Sequence, residues 1–171
     1  MNMGRGWIDR LVRCYEGLVA GLVVLLFADV IWGVVSRYLL GRQSQWTEEL
    51  AVNLLLWVSM LGAALAYRDR GHLGVDLFTQ MLAPPARRLA NLAAELAVLG
   101  FAGFALIYGG GLLVLETLAA NQVTPAMGWK VSYFYAAVPV AGVFFVLFSL
   151  EHFVSLLRIP VEQPAEGKGS P

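Results

Sequence analysis

Charge is scarce in this chain, and so are cysteine and histidine; each shortage removes a class of function. Charged residues make up 14% of the 171, against about 25% in an average soluble domain. Twelve Lys and Arg balance twelve Asp and Glu, so the net charge is zero. Neither a nucleic-acid partner nor an acidic substrate follows from that balance. Cys14 is the only cysteine, which excludes an internal disulfide and an intrinsic thiol–disulfide relay. The two histidines, His72 and His152, fall near the ends of apolar runs rather than at matched depths within them, so a bis-histidine haem is not expected. His72 and Asp76 have an i, i+4 spacing that supplies two metal ligands, short of the three or four of a zinc site. No glycine-rich nucleotide loop occurs, and no Ser-His-Asp or Cys-His set can be assembled. We therefore expect no enzyme activity, no cofactor and no metal.

What the chain has instead is hydrophobic length. Apolar residues are 58% of the sequence. They gather into four runs, Gly17–Leu40, Leu50–Tyr67, Leu89–Ala119 and Val131–Leu157. A run of about 18 residues or more crosses a hydrocarbon core of about 30 Å. The expected fold is all-α, an integral membrane protein with four transmembrane helices plus short amphipathic helices in the membrane plane. Residues 1–158 form one transmembrane domain, and 159–171 read as a disordered cytoplasmic tail rich in Pro, Gly and charge. The first run follows basic residues as a signal peptide does. It is too long for that and lacks a small-x-small cleavage site, so it reads as a retained helix.

Basic residues orient the spans. Arg5, Arg10, Arg13, Arg68, Arg70, Arg87, Arg88, Arg158 and Lys168 lie on one side; Arg37, Arg42 and Lys130 lie on the other. Cytoplasmic loops are enriched in Lys and Arg, so both termini are expected in the cytoplasm. Two stretches read as amphipathic. Trp7, Ile8, Leu11, Val12 and Tyr15 recur at helical spacing, which fits either an interfacial helix or an extension of the first span. Leu73, Leu77, Phe78, Met81 and Leu82 form one face of a second such helix, stopped by Pro84 and Pro85.

Several residues stand out within or beside the spans. Thr47 is placed to cap the second helix, with Glu48 and Glu49 in its first turn, where the helix dipole favours negative charge. Adjacent carboxylates point about 100° apart on a helix, since it turns once in 3.6 residues. One can therefore face Arg37 or Arg42 while the other reaches a partner subunit. Trp46 suits the headgroup level. Gly109–Gly111 permit close packing or a bend in a third helix of about 45 Å, and Pro139 is expected to kink the fourth about two turns below its start. Polar groups sort into an outer layer (Arg37, Glu48, Glu49, Asn53, Glu116, Asn121) and an inner one (Arg68, Asp69, Arg70, His72, Asp76, Glu95, Glu151, His152). Most are expected to anchor helix ends at the interfaces. Asp29 is different, lying near the middle of the first span. A central Asp costs roughly 2.5–3.5 kcal/mol on insertion scales. Ser59 or Tyr108 could partner it at similar depth. We read it as a hydrogen-bonding group between helices or towards another subunit; proton or cation coupling is the other reading.

The stretch from Arg37 to Asp76 carries a recognisable pattern. Arg37-Tyr38 is followed by Gly41-Arg42, Trp46-Thr47-Glu48-Glu49-Leu50, Trp57, Gly62-Ala63-Ala64, Arg68-Asp69-Arg70-Gly71-His72 and Val75-Asp76. Further on stand Thr124-Pro125-Ala126-Met127-Gly128 and Tyr135 to Pro139. This resembles the DctQ-type small permease subunit of tripartite ATP-independent periplasmic (TRAP) transporters, over roughly Leu18 to Leu157. Lys130 departs from it, where a second proline is common. The resemblance implies an inner-membrane, sodium-coupled transporter of organic acids. In it a periplasmic binding protein delivers substrate to a large DctM-type subunit that holds the transport sites. The small subunit braces that subunit and helps dock the binding protein, with membrane lipid around it. The competing reading is a self-sufficient proton-coupled exporter of the small multidrug-resistance kind. It also has four helices and a carboxylate in the first.

Overall fold

The computed structural model describes residues 5–39, 41, 44–70 and 84–158. The expected in-plane helix at 73–82, with His72 and Asp76, lies outside the described residues. Within them the chain is helical: α1 (Arg5–Leu39), α2 (Gln45–Arg70), α3 (Pro84–Phe101), a π-helical segment (Ala102–Gly109), α4 (Gly110–Ala119), α5 (Ser132–Tyr135) and α6 (Ala137–Arg158). Four spans are long and apolar enough to cross a membrane: Arg10–Leu39, Gln45–Asp69, Leu89–Ala119 and Ser132–Val154. Their order and approximate limits follow the four apolar runs of the sequence.

One local feature decides between two readings of the sequence, and two differ from it. Residues 5–16 continue α1 without a break, so this stretch is an extension of the first span rather than a separate interfacial helix. The third span is not α-helical throughout. Between Ala102 and Gly109 it widens to π geometry, and the Gly110 N–H bonds the Ala105 carbonyl five residues back. In the fourth span the interruption falls at Ala136, between α5 and α6, a turn before the position expected for a kink at Pro139. A proline clashes with the carbonyl four residues earlier, here that of Tyr135, so the helix breaks there. Pro139 is left in the first turn of α6, where a missing N–H has no helical acceptor to satisfy.

The spans form an open row. α1 packs on α2, α2 on α6, and α6 on α3 and the π-helical segment; α1 and α3 share no packed face among the described residues. α6 is the inner member. Of its most apolar stretch 33% is buried, against 17% in the second span and 11% in each of the first and third. Small residues allow both neighbours to approach it. Ala137 and Ala141 are fully buried. A Cβ added at Gly142 would lie 2.8 Å from Leu106 Cβ and 3.2 Å from the Ile107 backbone nitrogen. One at Gly110 would lie 2.8 Å from Val138 Cγ1 and 3.0 Å from Pro139 Cδ. The second half of the π-helical segment and the residue after it are thus pressed on α6 at glycines. On the other side, Val12, Tyr15 and Val19 of α1 meet Leu61 and Ala64 of α2 and Ala141 and Phe148 of α6, with Trp57 packed against them. The Tyr15 hydroxyl donates to the Leu61 carbonyl at 2.8 Å, and its ring stacks obliquely on Phe144 at 4.1 Å.

Two glycine substitutions test this packing with one chemical change. Gly62 has nothing within 4 Å of an added Cβ, so Gly62→Ala is expected to leave the purified protein as stable or up to about 1 kcal/mol more stable. Gly142→Ala places the same methyl against Leu106 and the Ile107 backbone and is expected to cost about 1–3 kcal/mol. Thermal unfolding of the two variants in detergent reads the difference.

Candidate functional site

Polar side chains concentrate at three places in the row. The first is the end that carries residues 44–47 and the 120–131 loop, here termed the hairpin end. That loop is built by backbone chemistry. α4 closes with Asn121 in the left-handed region (φ 49°). The Asn121 N–H bonds the Leu118 carbonyl and the Gln122 N–H bonds that of Thr117, the paired arrangement that ends many helices. The chain then doubles back. Val123 and Lys130 form an antiparallel bridge, and the Thr124 N–H donates to the Trp129 carbonyl at 2.8 Å. Gly128 turns the corner at φ 68°, while Thr124 Oγ1 accepts the Trp129 N–H at 3.2 Å.

This turn leaves two successive N–H groups pointing one way, and Glu49 of α2 takes both. Oε1 accepts from Ala126 at 2.7 Å and Oε2 from Met127 at 3.0 Å. The carboxylate therefore ties the start of α2 to a loop almost eighty residues away in sequence. Glu49 is thus bonded to backbone within the chain, while its neighbour Glu48 shares a groove with Arg37. The Thr47 expectation also changes. α2 begins at Gln45, so Thr47 lies inside its first turn, and its hydroxyl donates to the Ser44 carbonyl at 2.6 Å. Thr47 is buried and faces Gly33 of α1, where an added Cβ would stand 3.4 Å from its Oγ1. Trp46 is partly exposed beside it.

The second place is Asp29. It is 7% exposed, and neither carboxylate oxygen has a hydrogen-bond partner among the described residues. Ser59 and Tyr108, the partners considered from depth, do not reach it; Tyr108 stacks on Phe104 at 5.7 Å instead. Asp29 opens into a groove of about 190 Å³ between α1 and α2, lined also by Val30, Gly33, Val34, Arg37, Thr47, Glu48 and Ala51. The structure thus brings Asp29, Arg37 and Glu48 to one groove. Pro139 stands apart from them in α6, and Arg70 ends α2 at the opposite end of the row.

The third place was missed by sequence reasoning. Glu95, placed there among interfacial anchors, is 5% exposed. Its Oε2 accepts from the Tyr67 hydroxyl at 2.5 Å and the Ser149 hydroxyl at 2.8 Å. His152 Nδ1 stands 3.6 Å from its Oε1, and the His152 ring lies 5.5 Å from that of Tyr67. Three helices meet on one carboxyl group. A signal was present: Glu95 shares its i±3 and i+4 face with Leu92, Val98 and Leu99, an apolar face that packs inward. Beside it Arg68, Asp69, Glu151 and His152 line an open depression of about 380 Å³. Arg68 lies 3.9 Å from Glu16 of α1 and over the Phe148 ring. No group of three or more metal-ligating side chains occurs among the described residues.

Four spans long and apolar enough to cross a membrane, packed side by side and tied by carboxylates such as the buried Glu95, define a multi-pass membrane protein. The chain belongs to the family described as "Tripartite ATP-independent periplasmic transporters, DctQ component", which matches residues 18–159. It is similar to the sialic acid TRAP transporter small permease protein of Vibrio cholerae, 31% identical over 144 residues, covering 84% of this chain and 82% of the relative. It is also similar to the ectoine TRAP transporter small permease protein of Halomonas elongata, 24% identical over 90% of this chain and 78% of that protein. A sialic acid TRAP transporter permease protein of Haemophilus influenzae is 27% identical over 75% of this chain, but over only 20% of its own length. The family's role is that of a transporter subunit.

Two of these contacts can be tested directly. Glu49→Ala removes the acceptor of two N–H groups, both charge-assisted bonds. Amide hydrogen exchange in peptides spanning Thr124–Lys130 is expected to speed up by at least tenfold, while peptides from α6 stay protected. Glu95→Leu leaves the buried hydroxyls of Tyr67 and Ser149 without their acceptor and is expected to cost about 1–3 kcal/mol each. Glu95→Gln retains an acceptor oxygen and is expected to cost about half as much or less. Thermal unfolding of the three proteins gives the order.

Proposed function

We propose that this chain is the static small subunit of a sodium-coupled TRAP transporter, with no enzyme activity of its own. It braces the large DctM-type permease subunit in the bacterial inner membrane. The observation that carries this reading is the open row of helices. Among the described residues, four spans in line enclose no path, and the polar groups are pinned at separate places rather than strung along one route. Such a layer has two broad apolar faces, which suit lateral contact with another membrane protein and with lipid. The Haemophilus influenzae permease supports the same reading, because there the matching region forms about a fifth of a longer permease chain. A self-sufficient exporter is not favoured by the family match.

The remaining parts of the proposal follow from weaker but specific grounds. Relatives are named for sialic acid, C4-dicarboxylates and ectoine, all of which carry a carboxylate, so the cargo is an organic acid. The distribution of Lys and Arg puts both termini in the cytoplasm and the hairpin end outside. There the clasped 120–131 loop, with Trp129 half-exposed, is the surface that helps dock the periplasmic binding protein.

Reconstitution tests the function. The chain alone is expected to move no substrate under either a sodium or a proton gradient. Together with its large subunit and binding protein it is expected to support sodium-driven uptake. Uptake by the isolated chain would replace the subunit reading with the exporter. Orientation is tested in a Cys14→Ser background. Ser44→Cys should react with an impermeant thiol reagent added from the periplasm, and Thr79→Cys should react only after the membrane is opened.

A further inference from the structure

Among the described residues, Asp29 is a buried carboxyl group whose chemistry is unfinished. Its two oxygens are buried and unpartnered, yet the groove into which they open is lateral, between two helices at the edge of the row. Leu39 ends α1 ten residues on, so Asp29 lies about 15 Å below that end, near the middle of a core about 30 Å thick. Lipid tails carry no hydrogen-bond donor. A carboxyl group at that depth costs several kcal/mol unless protein supplies one. The lining of the groove suits a helix. Gly33 and Ala51 are part of it, and small residues let helix backbones approach closely in a bilayer. Its rim is apolar and open, with Val30 and Val34 about half-exposed. Among the described residues, α2 is the helix on which α1 packs extensively.

We propose that the groove between α1 and α2 seats a transmembrane helix of the large permease subunit, and that a side chain of this helix donates a hydrogen bond to Asp29. The proposal rests on the small-subunit reading and adds to it the face, the depth and the chemistry of the contact. The lining charges fit a donor. Asp29 and Glu48 outnumber Arg37 in the groove, so an incoming acceptor or anion would be repelled. Glu48 and Arg37 lie nearer the hairpin end, which leaves Asp29 as the acceptor at mid-depth.

The test uses the complex of this chain with its large subunit. A photo-crosslinking amino acid is placed at Val30 or Val34 in the groove, and at Leu96 as a control on the other edge of the row. With Asp29 intact, the groove positions are expected to give an adduct of the summed subunit masses. Adducts only with lipid, or only with a second copy of this chain, would overturn the proposal. So would an adduct at Leu96 with none at Val30 and Val34. Energy transfer between labelled subunits over a lipid-dilution series then measures association. Asp29→Leu is expected to weaken it about 3- to 30-fold, the range for one interhelical hydrogen bond. Asp29→Asn keeps an acceptor oxygen and is expected to stay within about twofold of the parent. Parent-like association of Asp29→Leu would remove the hydrogen bond from the argument. Equal weakening by Asn and Leu would show that charge is required, and would also overturn it. If the unaltered chain does not associate with the large subunit at all, the subunit reading itself fails, an outcome distinct from these.

Discussion

Everything in this fold depends on how closely two helices can approach α6. In water, burial of apolar surface would press the helices together; in a bilayer the tails are as apolar as the side chains, and that drive is absent. What remains is close packing and hydrogen bonding. α6 provides the first through Ala137, Ala141 and Gly142, which bring α2 to one side and the π-helical segment to the other. The π geometry belongs to the same contact. Gly110 and Gly142 are the two points at which an added methyl group would strike the neighbouring helix, and the widened turns lie between and beside them. A regular α-helix turns about 100° per residue. Extra residues in a turn therefore rotate the face that follows, and here that rotation sets which side of α4 meets α5 and α6.

Hydrogen bonding provides the second element, at the two ends of the row. Glu95 joins α3 to α2 and α6 through Tyr67 and Ser149. Glu49 joins α2 to the loop between α4 and α5. Each contact fixes register, because sliding one helix by a turn moves its groups by about 5.4 Å, well beyond hydrogen-bond reach. Packing of smooth apolar faces does not do this. The carboxylates cost desolvation and return specificity of arrangement, a use of buried polar groups seen also in coiled-coil cores.

The spans themselves were legible in the sequence, because hydrophobic length is a property of one segment and needs no partner. The same holds for the turn at Thr124–Gly128 and for Asp29 as an unusual central charge. What could not be read was the identity of partners. Thr47, Glu48 and Glu49 all look like first-turn residues of a helix, and only the fold shows that Glu49 reaches Ala126 and Met127. Glu95 looked like an interfacial anchor because its depth was judged from the ends of its span, whereas the face it occupies decides its burial. The break at Ala136 was misplaced by one turn because a proline acts on the carbonyl four residues before it. The π-helical segment left no sequence mark other than glycines, which are equally compatible with a straight α-helix.

The sequence pattern and the structure meet at the hairpin end. Trp46-Thr47-Glu48-Glu49-Leu50 and Thr124-Pro125-Ala126-Met127-Gly128 are distant in the chain and carry no catalytic chemistry. In the fold, the carboxylate of the first closes on the backbone of the second, and Thr47 of the first packs on Gly33 of α1. Residues of α1 on either side of Gly33 and the first turns of α2 line the Asp29 groove. One end of the row therefore holds both the 120–131 loop and the mouth of a lateral groove. Such coupling suits the bracing role proposed for this chain. A loop that moved independently of α2 would transmit nothing to the membrane faces, whereas a loop bonded through Glu49 shares the position of α2. Through Thr47, it shares that of α1 as well.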